Sequence, residues 1–403
     1  MTPMAENWCV VGASVCGPAH ARRGAPTQDA FKVASESTQS GRPIAIVCVS
    51  DGHGSSTAFR SAFGSRFAVD VATEVVTDEL RAIPHFQEQL GEAWINLRED
   101  LPKLIVLRWV NTVHTHFLNT TLTETEKPYW NMLRDRHPSE TSEAQQLRAY
   151  GATLSIVIAS HEGVGCLQLG DGDIVVGWED ADRTWTFPVP VDDRLIGNAT
   201  TSLCLETAVE DFRHSDWLGF DDRNRRPSFV LVATDGFSNS IVSRPKLEEV
   251  VATLASDARA DGSALVAEWL EPWLDRLATH GAGDDTTAVL LWRSDEFDQL
   301  REGNRLTDLG ESKAASEAGT ETGPGLAHDT PSAVALNTVP EGAPDAPTEG
   351  APGAPTEVAP DVPTEAAPDA PTEVAITESK TEFQMRETAA PHGQPCTGTD
   401  PPV

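Results

Sequence analysis

Four aspartates stand where a strand-like run meets a glycine turn. Asp51 follows PIAIVCVS, Asp171 follows GCLQL, Asp235 follows SFVLVAT and Asp284 precedes TTAVLLW. Each has glycine beside it, as DGHG, GDGD, TDGF and GAGDD, so backbone can come close where a side chain would obstruct. Acids held at strand ends sit on rigid elements, and all-oxygen donors suit a hard divalent cation. Carboxylates gathered by a fold repel one another unless cations offset them, which points to Mn²⁺ or Mg²⁺. Two such ions about 4 Å apart would activate a water and hold a phosphoryl group for in-line attack. No His/Cys set has zinc spacing. A lone Asp-Gly is ordinarily only a turn former; four at comparable strand ends are hard to obtain from turn chemistry alone.

The elements that must position these acids are legible as alternating runs. WCVVGASV, AFKVAS and PIAIVCVS read as short β-branched strands bounded by Gly, Pro and Ser. Phe59, Phe63 and Phe67, then Leu107, Val110, Val113 and Phe117, recur at helical spacing, which predicts two or three helices between residue 56 and about 122. A polar stretch from Thr123 to Arg148 follows, open to reading as a lid or a loose insertion. Strands resume with TLSIVIAS, GVGCLQLGDGDIVVGWE, TWTFPV, TSLCLE and SFVLVATDG, taken as consecutive antiparallel partners. Leu247, Val250, Val251 and Leu254, then Leu270, Leu274 and Leu277, mark two later helices, the second kinked by Pro272 and ended by Gly281, before a last strand TTAVLLWR. Because helices must cover the outer apolar faces of the sheets, this order predicts an α+β four-layer sandwich, two antiparallel β-sheets flanked by helices.

Composition divides the chain in two. From Asp295 to Val403 there are 21 acidic against 5 basic residues and 15 of the 28 prolines, with the unit APTE recurring. Such a segment has too little apolar surface to offset its ordering entropy, so residues 296–403 are expected to form a disordered acidic Pro/Ala/Thr/Glu-rich tail behind a domain spanning 1–295. The net charge of −32 argues against nucleic acid or an anionic membrane as partner. No stretch approaches the roughly 20 apolar residues of a membrane span, and the N-terminus lacks a basic region followed by an apolar core, so a cytoplasmic protein is expected. Six scattered cysteines without a CxxC read as buried free thiols.

From about Val10 to Arg293 the order of these motifs resembles the metal-dependent protein phosphatases of the PPM, or type 2C, family, in its bacterial branch. SDGHGSS is similar to the family's DGHGG, GATLSIVI to its GST-containing strand, LGDGDIVV to its GDS motif, LVATDGFSNSI to its DG strand end and GDDTTAVLL to its DNxS/T motif. The resemblance implies hydrolysis of phosphoserine and phosphothreonine on proteins without a phosphoenzyme. Its partners would be phosphorylated proteins, a cognate serine/threonine kinase and that kinase's substrates among them. It implies Asp51 bridging two Mn²⁺ or Mg²⁺ ions, the Gly52 carbonyl on one, Asp235 and Asp284 completing the other, and Asp171 at a third, weaker position used by some members. His53 is similar to the family's general acid for the leaving oxygen, a role that needs a protonated imidazole near its ordinary pKa.

The departures are local. Where many members have Glu-Asp, HARRGAPTQDAF offers Gln28-Asp29, so one anionic metal contact becomes a neutral amide and Asp29 remains as a water-mediated acceptor. Asp285 falls where an Asn is common. The family's phosphate-gripping Arg has no counterpart at its usual spacing; Arg22, Arg23 and His20 are the nearby candidates, with solvated loop charges the plainer reading. Two rivals stay open: a catalytically weak or dead phosphoprotein-binding scaffold of the same fold, and an interaction protein whose tail is its working part.

Overall fold

The computed structural model describes residues 7–38, 41–83, 90–179, 185–195, 200–220 and 225–294. The expected tail, and with it Cys396, lies outside the described residues. In chain order the elements are β1 (Asn7–Val15), α1 (Pro18–Ala21), β2 (Ala30–Ser37), β3 (Pro43–Ser50), α2 (Ser61–Ala82) and α3 (Leu90–Asn119). Then come α4 (Lys127–Arg136), α5 (Ser142–Arg148), β4 (Leu154–Ala159), β5 (Val164–Leu169), β6 (Asp173–Trp178) and β7 (Trp185–Thr186). The last are α6 (Ala208–Asp211), β8 (Arg213–His214), β9 (Pro227–Ala233), α7 (Asp235–Ser238), α8 (Arg244–His280) and β10 (Thr286–Ser294).

The strands form two antiparallel sheets, ordered β1-β10-β9-β6-β7 and β2-β3-β4-β5-β8. Their near-continuous apolar runs follow from burial on both faces. Along β3, Ile44, Ile46 and Cys48 face α2 and α3 while Ala45, Val47 and Val49 face the other sheet. Along β9, Phe229, Leu231 and Ala233 face α8 while Val230 and Val232 face the sheet that holds β3 and β4. The layers are therefore helix, sheet, sheet, helix, and each large apolar side chain so enclosed contributes about 1.5–3 kcal/mol relative to exposure.

Several expectations need correction. The run from Leu154 to Trp178 is not one consecutive antiparallel series: β4 and β5 pair, but the chain then crosses to the other sheet, where β6 pairs with β9. TSLCLE is not a strand; Ser202 Oγ donates to the Ala152 carbonyl and accepts from its amide, turning the chain so that Leu203 and Cys204 enter the helical core. The two helices expected at the end are present, divided within α8 at Gly262, whose φ of 76° is open to glycine. Gly281 ends it, its amide donating to Leu277 O at 2.9 Å. In α3 the buried face is Leu97, Leu101, Ile105, Trp109 and Val113, leaving Leu107 62% exposed. Phe63 and Phe67 turn toward His116 on α3, with ring centroids 4.7 and 5.2 Å away, while Ala68, Ala72 and Val76 meet the sheet core.

Among the described residues five cysteines are free, three of them buried, and burial pushes the Cys48 and Cys166 thiols up to about 12. No helix among the described residues is long and apolar enough to cross a membrane.

The polar stretch Thr123–Arg148 forms α4 and α5 and is pinned, not loose. The buried Arg60 donates through Nε and Nη2 to both oxygens of Glu126 at 2.7 and 3.1 Å, and through Nη1 to Tyr150 Oη at 2.9 Å. Leu133 is buried and Trp130 packs on Phe117 at 5.1 Å. Removing one partner leaves the other's charge poorly solvated. Glu126→Ala is expected to lower unfolding free energy by about 3 kcal/mol, read by urea denaturation; a change below about 0.5 kcal/mol would show that this pair does not anchor the insert.

Candidate metal and catalytic site

Antiparallel pairing carries the acids to one rim. β3 ends beside the start of β4, and Leu154 at that start is opposite Leu169 at the end of β5. Asp171 lies in the short link by which the chain leaves β5 for β6 of the other sheet. There Asp173 and Ala288 are both paired with Ala233, so Asp235, just after β9, and Asp284, just before β10, lie at the same end.

Local hydrogen bonds hold each acid in place. Thr153 N donates to Asp51 O at 2.8 Å, and Asp51 N donates to Thr153 Oγ1 at 3.0 Å. Gly52 N donates to Gln28 O at 3.1 Å; a Cβ at position 52 would lie 2.7 Å from that oxygen and 2.8 Å from Ser61 O, so only glycine fits this crossing. Thr200 Oγ1 donates to Asp171 Oδ1 at 2.8 Å and Asn239 Nδ2 to Asp235 Oδ2 at 2.9 Å. Thr234 Oγ1 receives Thr287 N at 3.0 Å and donates to Asp29 Oδ2 at 2.8 Å, tying β9, β10 and β2 together beneath the rim.

Asp51, Asp171, Asp235 and Asp284 line one cleft of about 710 Å³, with Gly52 and His53 beside them and Gln28, His20 and Asp285 reaching the same space. Asp29 is buried below. Burial, reinforced by the charges of Asp29 and Asp235, holds the Asp51 carboxyl well above the usual carboxylate range. Burial, then Asp171 and Asp284, raise Asp235 to about 6, and burial raises Asp29 to about 7. The Asp51 and Asp235 carboxyls line the same cleft, and each perturbs the ionisation of the other.

His53 donates its amide to Gly151 O at 3.0 Å, and its buried Nε2 has no protein partner. Burial lowers its pKa; Asp171 pulls it up and Arg148 pushes it further down. The ordinary pKa expected for this imidazole is therefore not what its surroundings produce: it releases a proton readily but carries one less often near neutrality.

Arg22 and Arg23 are exposed and neither lines the cleft; Arg23 Nε instead donates to Ala19 O at 3.0 Å. His20 does reach it, but its Nδ1 faces Asp285 Oδ2 at 2.9 Å. Asp285 is occupied as a clasp, accepting Gly17 N at 2.7 Å and Gln28 N at 2.6 Å, so it tethers the segment before β2 to the start of β10. The cation that does line the cleft is Arg148, together with His137. Both come from the polar stretch, whose residues carry no periodicity or spacing to single them out.

Among the described residues no three His, Cys, Asp or Glu side chains stand close enough to form a metal-ligating group. The donors in and beneath the cleft still fit a hard cation: carboxyl oxygens with raised proton affinity, a close-approaching glycine backbone, and buried acceptors Gln28 Oε1 and, below, Asp29 Oδ1 that have no protein donor.

Among solved structures the chain is similar to a bacterial serine phosphatase (14% identity, 71% of this chain and 98% of that one, TM-score 0.42). It is also similar to the catalytic domain of the serine/threonine phosphatase PstP in complex with two manganese ions (15%, 72% and 99%, TM-score 0.41). A third is PppA, a regulatory component of the type VI secretion system in Pseudomonas aeruginosa (16%, 71% and 98%, TM-score 0.41). No curated protein matches the chain. The family model described as "Protein phosphatase 2C" matches residues 16–275, a span that holds Asp51, Asp171 and Asp235 with both sheets' central strands, and the chain belongs to that family.

Proposed function

We propose that this protein hydrolyses phosphoserine and phosphothreonine on other proteins with divalent cations, Mn²⁺ or Mg²⁺, as cofactors. Convergence of Asp51, Asp171, Asp235 and Asp284 from four distant strand ends into one cleft beside His53 carries this reading. Asp51, the Gly52 carbonyl, Asp235 and Asp284 would hold two ions, and Asp171 a third, weaker one. When bound, the cations supply charge neutralisation at phosphorus and polarisation of the attacking water. Gln28 offers an uncharged amide oxygen to the same space, which lowers the site's negative charge by one relative to a glutamate. Asp29, through Thr234 and within reach of Asp51, orients the floor of the cleft. Asp285 keeps Gln28 in register by accepting its amide. His53, a lining residue whose buried Nε2 has no protein partner, would be the group that holds and delivers the proton of the leaving oxygen. A phosphoryl dianion alongside would raise its pKa again.

The partners that follow are phosphorylated proteins, a cognate serine/threonine kinase and its substrates, in the cytoplasm. Gln28 and the lowered His53 favour a second reading, a phosphoprotein-binding scaffold with weak or no turnover.

One experiment separates the two. Mn²⁺-dependent hydrolysis of an aryl phosphate is expected, falling by at least about 100-fold in Asp235→Asn. Full turnover in excess chelator would overturn the metal-dependent reading, and phosphopeptide binding without turnover would establish the scaffold.

The raised carboxyls also make a pH prediction. A carboxyl whose folded pKa exceeds its unfolded one contributes stability that is present below the unfolded pKa and is lost as pH rises through the folded one. With Asp235 at about 6 and Asp29 at about 7, the chain in chelator should lose stability from about pH 4 to about pH 8. Cations replace those protons, so saturating Mg²⁺ or Mn²⁺ should raise Tm by about 5 °C or more near pH 8 and by less near pH 5.5. A cation-induced gain that is equal or smaller at the higher pH would contradict the shared-site assignment.

A further inference from the structure

The cleft wall is strongly acidic, and a phosphoryl dianion approaching it needs a fixed positive charge from the protein as well as cations. Of the described residues lining the cleft, Arg148 is the single Lys or Arg. We infer that Arg148, at the end of α5 and gripped by Glu140, receives the non-bridging oxygens of the substrate's phosphoryl group. In this protein the α4–α5 insert thus takes over phosphate recognition from the loop at Arg22 and Arg23. The inference rests on the function proposed above.

Three features of the insert support it. The guanidinium is already oriented: Nε and Nη2 donate to the two oxygens of Glu140, each at 2.6 Å, and among the described residues Nη1 donates to no protein acceptor. Two donors fixed and one edge open is the geometry that lets a planar fork meet an oxyanion without first losing rotamer freedom. The side chain is 31% exposed, accessible from the cleft yet not free in solvent.

The insert itself is braced. Buried Gln145 donates Nε2 to His137 O at 2.8 Å, closing the turn between α4 and α5, and Glu140 Oε1 stands 3.2 Å from His137 Nδ1. Residues just past Arg148 are strapped to the machinery: Ala149 O accepts Arg60 N at 2.8 Å and Gly151 O accepts His53 N at 3.0 Å. Arg148 is thereby tied through the chain at Gly151 to His53, and the two side chains line the same cleft.

The other candidates lack these features. Arg22 and Arg23 lie outside the lining, and His20 is turned to Asp285.

The test uses the full chain with Mn²⁺, an aryl phosphate as substrate and inorganic phosphate as competitive inhibitor. Arg148→Ala is expected to raise KM and the phosphate inhibition constant together by about 10–100-fold, the loss of a charge-assisted hydrogen bond, while Mn²⁺ affinity holds. Arg148→Lys, which keeps the charge but not the fork, should recover part of both, and thermal melts verify that each variant folds; Arg148→Gln serves if Ala does not. Both constants within about twofold of wild type in a folded, active variant would overturn the inference. So would a defect confined to phosphopeptides, which would place Arg148 on a flanking substrate residue, or a fall in kcat alone. If the wild-type chain turns over no phosphate ester, the proposed function fails first. Calorimetric titration of the Mn²⁺-loaded wild type and Arg148→Ala with inorganic phosphate then decides the inference, equal affinity refuting it.

Discussion

The carboxyls of Asp51, Asp171, Asp235 and Asp284 share one cleft at the rim of two sheets packed face to face, with Asp29 buried beneath. Withdrawing like charges from water is unfavourable unless protons, cations or hydrogen-bond donors offset them. Much of the surrounding structure can be understood as support for that arrangement. The Thr153 clamp on Asp51, the Thr234–Thr287 pair above Asp29 and the Thr200 and Asn239 donors each fix an acid from a different strand end. A rim built on loops alone could relax by letting the carboxylates drift apart. Built on strands buried on both faces, it cannot do so without disturbing the core.

The segment that departs most from the family pattern is held just as firmly. Gly17 and Gln28 both donate their amides to Asp285, so the stretch carrying Gln28 is tied to β10 by a carboxylate that is consequently less available to a cation. The same tether explains why Arg22 and Arg23 miss the cleft: the turn between the two clasped amides projects them outward into solvent.

The α4–α5 insert is the third support. A buried Arg60 fork onto Glu126, shared with Tyr150, anchors its start, and the Arg148–Glu140 fork closes its end beside the cleft. Positive charge thus enters an acidic site from a segment distant in sequence from the N-terminal loop.

The pattern of residues by itself determined the layered α+β class, most strands and the acid turns, because strand burial and glycine-flanked carboxylates leave signatures within a few residues of one another. It misplaced what depends on competition between distant partners. TSLCLE has a strand's composition, yet Ser202 satisfies Ala152 and turns the chain; Leu107 continues a helical stripe, yet α3 is rotated so that Trp109 and Ile105 meet the core. Only the tertiary structure decided that β5 and β6 belong to different sheets, that Asp285 is spent on backbone amides, and that Arg148 lines the cleft while Arg22 and Arg23 do not. Those outcomes depend on which groups are brought within a few ångströms by contacts spanning a hundred residues or more, and local spacing carries no record of them.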